Sequence, residues 1–201
     1  EHLRGLLGQT TAVMRKFMRR AVSDPRRIVF PEGEDPRILQ ACAILVDEGM
    51  ARPVLLGSRE DIRNAIEAAD IALDLRAVEI VDPLEDDQLK AYTDRFYEGR
   101  QRKGLDRKEV ELRMHDHNHF GMMMVAEGRV DGVVSGMNFH YPDVIRPALQ
   151  IIGLAPGVQR TAGMYIMLHH QRGLLFFGDT TVNLQSSPEV LADVAEMVAD
   201  A

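Results

Sequence analysis

Apolar residues at Val13, Met14, Phe17, Met18, Ala21 and Val22 recur with a helical period opposite Arg15, Lys16, Arg19 and Arg20. This predicts an amphipathic helix over 10–22, with Thr10 or Thr11 as its N-cap and Asp24-Pro25 as its stop. The period then shortens. Arg27–Phe30 reads as a short buried strand ended by Pro31-Glu32-Gly33, and Asp35-Pro36 supplies cap and first turn for a helix running to Gly49. Residues 53–56 and 78–81 are the next strands, with a helix opened by Ser58 between them. Three strands joined by helices of this length imply right-handed crossovers and a parallel sheet. Residues 84–128 read as helical, broken at Lys103-Gly104 and near Asp116. A strand at Val133-Val134, a helix over 142–151, strands over 164–168 and 174–177 turning at 171–173, and a helix from Ser187 complete the pattern. The fold class is α/β of the open-sheet kind.

Composition narrows the function classes. The 201 residues are 45% hydrophobic and 27% charged, the proportions of an ordinary globular protein. No apolar run is long enough for a membrane-spanning helix, and the start lacks the apolar stretch of a secretory signal. The formal net charge of -7 argues against nucleic acid as the main partner, and a lone Cys42 excludes a disulfide framework. These features point to a cytoplasmic metabolic protein. The charge is uneven: basic residues crowd 1–27 and form a second cluster at Arg100, Arg102, Lys103, Arg107 and Lys108, whereas only acids follow Arg172. That second cluster, interleaved with acids, reads first as a solvated helix face. The final helix has no stop signal, so the chain reads as a fragment.

In an open α/β sheet, ligands bind beyond the carboxyl ends of the parallel strands. Three segments are expected at that edge: Pro31–Asp35, Ser135-Gly136-Met137-Asn138, and Gly178–Thr181 with Asn183. Each joins a glycine and polar groups to a following helix N-terminus, an arrangement suited to anions. No phosphate-loop, dinucleotide or nucleophile-elbow motif is present. The run His115-Asp116-His117-Asn118-His119 offers chelating spacings, with metal binding as one reading. Asp116 looks like an N-cap, however, which splits the histidines between two helices and favours capping and packing. Met122–Met124 occupy successive positions of one helix, which predicts burial on several sides. Cys42 reads as inert packing.

Taken together, Arg27–Asp35, Ala51–Gly57, Asp131–Gly136, Asp143 with Arg146–Ile152, and Phe177–Asn183 resemble the phosphate acetyl/butyryltransferase family from about Asp24 onward. The segment before Asp24-Pro25 is similar to the domain junction of bacterial NADP-dependent malic enzymes. The resemblance implies a three-layer α/β/α architecture with a mostly parallel sheet, the two-subdomain isocitrate-dehydrogenase-like or phosphotransacetylase-like fold with its C-terminal part missing. It divides the chain into a linker helix over 1–24 and a domain portion over 25–201. It also implies homo-oligomers with a cleft that holds acyl-CoA. Arg100 and Arg146 match arginines that contact phosphate or coenzyme groups there, and Ser135, Gly136, Asn138, Asp143, Asp179 and Asn183 complete the implied effector site.

Two departures shape the functional expectation. Met137, Phe139 and Tyr141 stand where the family carries small hydroxylic residues, and the family's Ser- and Asp-bearing catalytic motifs belong to a later half. The leading expectation is therefore a non-catalytic regulatory domain of a malic enzyme, binding acetyl-CoA beside that enzyme's catalytic domain. No cofactor is expected in this domain, while NADP and a divalent metal are expected in the malic domain. The alternative is part of a catalytic phosphate acetyl/butyryltransferase, and a third reading is an assembly module docking through the 10–22 helix.

Overall fold

The computed structural model describes residues 2–169, 172–183 and 187–200. The chain divides into two compact units, Met18–Gly153 and Glu1–Phe17 with Leu154–Ala201.

The larger unit is built on a parallel sheet of β1 (Arg26–Phe30), β2 (Ala51–Leu56), β3 (Glu79–Val81) and β4 (Gly132–Val133), in the order β3-β2-β1-β4. Alternation sends Val29, Val54, Leu56 and Val81 to one face, and Ile28, Phe30, Leu55 and Ile80 to the other. Two cores result. The first set packs with Tyr92 and Phe96 of α4 (Leu89–Arg100), Val110 and Met114 of α5 (Arg107–Met114), and Phe120, Met123 and Met124 of α6 (His117–Ala126). The second packs with Ile38, Leu39 and Cys42 of α2 (Pro36–Asp47) and Ile62 of α3 (Arg59–Ala68). Helices thus cover both faces of the sheet, the expected three-layer arrangement. Asp35, Ser58, Asp106 and Asp116 each cap the helix that follows by accepting a backbone N–H. Methionines 122–124 are all buried, and burial pushes the Cys42 thiol up to about 12.

The smaller unit holds the hairpin of β5 (Met164–His169) and β6 (Gly173–Gly178), paired antiparallel as a separate sheet, and α8 (Pro188–Asp200). The third expected loop, Gly178–Asn183, therefore follows an antiparallel strand that is not a member of the parallel sheet. Periodicity identified both strands but not their pairing partner. In the turn expected at 171–173, Gln171 lies outside the described residues. A helix α1 (His2–Ser23) leads the chain, so Thr10 and Thr11 lie inside it and do not cap it. No helix among the described residues is long and apolar enough to cross a membrane.

Candidate active site

Strands β2 and β4 flank β1 on opposite sides, so the direction of chain progression reverses at the carboxyl end of β1. Two loops leave the sheet there in opposite senses, which opens a crevice. They are Pro31–Asp35 after β1 and Val134–Asn138 after β4, the latter leading into α7 (Tyr141–Ile151).

Gly33 seats the first loop. A Cβ at this position would lie 2.5 Å from the Leu56 carbonyl oxygen, so only glycine lets the loop cross the end of β2 so closely. That crossing points the buried Glu32 carboxylate at the second loop. Glu32 accepts the Gly136 backbone N–H at 3.0 Å and, through its other oxygen, a short hydrogen bond from the Asn138 N–H. Gly136 adopts φ 120°, a region that L side chains rarely enter, and this presents its N–H to the carboxylate.

A second tie runs outside the first. The Asn138 side chain donates to Asp35 at 2.8 Å and accepts from Arg37 at 2.6 Å, while Arg37 grips Asp35 through Nε and Nη2. The Arg37 guanidinium holds the Asp35 carboxyl well below the usual carboxylate range, and the Asn138 amide and Arg37 backbone N–H reinforce it against burial.

The third wall is the start of α6. The His117 ring nitrogen Nδ1 lies 2.9 Å from the Pro31 carbonyl oxygen, and the Ser135 hydroxyl donates to Asn118 Oδ1 at 2.7 Å. Asn118 is only 1% exposed, and its Nδ2 finds no acceptor among the described residues. An open cleft of about 400 Å³ results, lined by residues 31–36, His117, Asn138 and Phe139.

The structure thus brings Ser135, Gly136 and Asn138 together, with their backbone and side chains largely engaged. On α7, Asp143 and Arg146 are exposed and form no ion pair with each other among the described residues. The Arg100 guanidinium donates to the carbonyls of Leu149 and Gln150, so it caps the C-terminal end of the helix that carries Arg146. In the smaller unit, Asp179 accepts from the Val182 and Asn183 backbone N–H groups and from Asn183 Nδ2 at 2.6 Å. Burial opposes ionisation of Asp179, yet the Asn183 amide and the backbone donors outweigh it and lower its pKa. Asn183 also donates to the Thr161 carbonyl. These two residues build a closed local turn.

Sequence reasoning put Glu32 and Asp35 in a candidate ligand loop without giving either a binding role, read the His115–His119 run as capping and packing, and passed over Arg37. A carboxylate between Pro and Gly directly after a buried strand was the available signal for Glu32. The expected crowding by Met137 and Tyr141 is not found: they are 46% and 51% exposed, and only Phe139 of the three lines the cleft. The loop is pinned by its backbone, which leaves those side chains directed to solvent.

Residues 12–201 match the family profile described as Phosphate acetyl/butaryl transferase. A phosphate acetyltransferase of Thermoanaerobacterium thermosaccharolyticum is 37% identical over 194 residues, covering 94% of this chain and 58% of that protein. One from Clostridium acetobutylicum is 36% identical over 90% of this chain and 55% of its own length. The crystal structure of a phosphotransacetylase from Streptococcus pyogenes superposes with a TM-score of 0.82 at 30% identity, covering 92% of this chain and 56% of that one. The chain therefore spans a little over half the length of these relatives. These findings correct the expectation of a malic enzyme, an oxidoreductase and NADP: the relatives are phosphate acetyltransferases. The junction-like segment before Asp24 was too short a basis for that reading.

Proposed function

This chain belongs to the Phosphate acetyl/butaryl transferase family, and from that premise we propose that it forms part of an acyltransferase that moves a short acyl group between phosphate and the thiol of coenzyme A. The observation that carries the reading is the open cleft at the β1/β4 switch point, walled by two loops laced together across more than a hundred residues of sequence. In the forward direction, the thiol sulfur attacks the acyl carbonyl, the carbon–oxygen bond to phosphate breaks, and phosphate leaves.

The hydrogen-bonding pattern distributes the roles. The N–H groups of Gly136 and Asn138 are committed to Glu32, so they shape the loop and do not receive an anion. The Arg100 fork is committed to the end of α7 and fixes that helix. Arg146 is the exposed guanidinium on α7, and its planar fork suits phosphate oxygens. A cytoplasmic setting accords with a single cysteine that is buried and unpaired.

The test is coenzyme A and phosphate binding by calorimetry, together with thioester formation from acetyl phosphate in the full-length polypeptide. Arg146→Ala should weaken anion binding about 10-fold, the loss of one charge-assisted contact. Absence of binding and turnover in the wild-type protein would overturn the reading, and unchanged binding in the variant would remove Arg146 from it.

A further inference from the structure

Strand β3 is an edge of the parallel sheet. Strand β2 pairs with one side of it, and no strand among the described residues pairs with the other. The Val81 carbonyl accepts the Gly57 N–H at 3.1 Å. Backbone groups turn to alternate sides of a strand from residue to residue, so Glu79 and Val81 face β2 and the Ile80 N–H and C=O face outward. Many proteins cover such an edge with a helix or a loop. Here an open cleft of about 530 Å³ lies against it, lined by residues 57–60, 79–82, Glu85, Asp86 and Arg129. Residues 79–82 give the edge a length of about 13 Å, enough for a short extended segment to lie alongside.

The charges at this edge fall into two groups. Arg129 binds both oxygens of Asp86, at 3.0 and 2.8 Å, and reaches Glu79 at 3.4 Å, while Arg27 donates to the other Glu79 oxygen. Those four charges offset one another. Glu60, Asp82 and Glu85 remain, and among the lining residues only Arg59 opposes them. Glu60 belongs to α3, which packs on the sheet face that carries Ile80. Glu85 precedes Asp86, which is tied through Arg129 to Glu79 on the other face. A second copy presenting the same edge would set acid against acid, and like charges across paired strands repel. A basic extended segment fits better. Consecutive side chains leave a strand on opposite faces, so two adjacent lysines or arginines reach the carboxylates on both.

We propose that the outer edge of β3 is a docking site for an extended basic segment of another protein, which joins the sheet as a further strand. The Ile80 N–H and C=O pair with the main chain of that segment. Its adjacent basic side chains meet Glu60 and Glu85 from either side, with Asp82 at the end of the edge. Main-chain pairing supplies the binding, and the carboxylates select the charge of what binds. The site lies outside the β1/β4 crevice and does not depend on the acyltransferase reading.

The experiment uses the full-length protein and a capped hexapeptide of sequence Thr-Val-Lys-Lys-Val-Thr. The peptide should shift the Ile80 amide resonance saturably. At ten times its Kd it should slow hydrogen exchange of that amide about 10-fold. The Val81 amide, already turned to β2, should keep its exchange rate. A peptide with Glu-Glu at the centre should not bind, and neither should one whose two lysines are methylated on their backbone nitrogens, which keeps the charge and removes the donor. Glu60→Gln combined with Glu85→Gln should weaken binding about 5-fold, the loss of two exposed ion pairs, with the Val81 rate as the check on folding. The proposal is overturned by no saturable Ile80 shift up to about 10 mM peptide. Equal binding of the acidic or the methylated peptide, or unchanged binding in the double variant, overturns it as well. Ile80 protection that grows with protein concentration in the absence of peptide would assign the edge to a second copy instead.

Discussion

Replacing Glu32 by Gln tests whether one carboxylate holds the two switch-point loops together. The change keeps size and shape but removes the charge. The amide side chain retains one oxygen for one of the two N–H groups and turns an NH2 donor towards the other. A hydrogen bond to a charged group contributes about 1.5–3 kcal/mol net. Gly136 and Asn138 belong to exposed residues, so water reaches the freed N–H and offsets part of the loss. The expected cost is about 1.5–2 kcal/mol of local opening free energy, a roughly 10- to 30-fold effect. Hydrogen exchange reads it directly: the Gly136 and Asn138 amides should exchange faster by that factor. The Val134 amide, which donates to the Val29 carbonyl in the ladder, should not change. Unchanged exchange at residues 136 and 138 would refute the latch. Equal acceleration at Val134 would refute it too, because the sheet as a whole would then have loosened.

Gly33→Ala forces a backbone shift against the Leu56 carbonyl and should cost about 3 kcal/mol in urea unfolding; a loss under about 0.5 kcal/mol would show that the loop has slack. Asp35→Asn should destabilise the protein by about 1 kcal/mol near neutral pH. Because the folded pKa of Asp35 is depressed, that stability is fully present above the unfolded value near 3.9 and is lost as pH falls towards the folded one. The gap between wild type and variant should therefore close only in acid, and a gap that closes above about pH 5 contradicts the pairing with Arg37. Cys42, with its thiol pushed up to about 12, should resist alkylation at pH 8 about 1,000-fold relative to the unfolded chain, as mass spectrometry would show.

Local chemistry made most of the larger unit legible. Asp35-Pro36, Ser58 and Asp116 announced helix starts because a cap acts within three residues of its own position. The strands read at 27–30 and 53–56, which the structure begins at Arg26 and Ala51, announced themselves because their later residues are buried on both faces. What stayed hidden depends on contacts distant in sequence. The β5–β6 pairing puts the strand before the third loop in a different sheet from β1 and β4, and nothing in Gly178–Asn183 itself reports which strand β6 will join. Arg100 looked like a solvated face and then, by resemblance, like a ligand contact. In the fold it caps a helix 49 residues away, an outcome that its own neighbours in sequence could not express. Met137 and Tyr141 were read by size alone, whereas in the fold both side chains are about half exposed.

The weakest element of the sheet is the one on which the site depends. Strand β4 has only two residues in register with β1, too few to fix its position through ladder hydrogen bonds alone. Carboxylates secure it at both ends. Before the strand, Asp131 accepts the Arg27 N–H at 2.8 Å through its side chain and donates its own N–H to the Arg27 carbonyl at 2.8 Å. After it, Glu32 holds Gly136 and Asn138. A one-residue slip would turn every side chain of the loop to the opposite face and break both ties together. Register here is therefore enforced by side chains, and the loop leaving β4 stands at a fixed height above the end of β1. That constraint allows the Ser135 hydroxyl to meet Asn118 and the Asn138 amide to meet Asp35, so the chain's own contacts set the shape of the crevice.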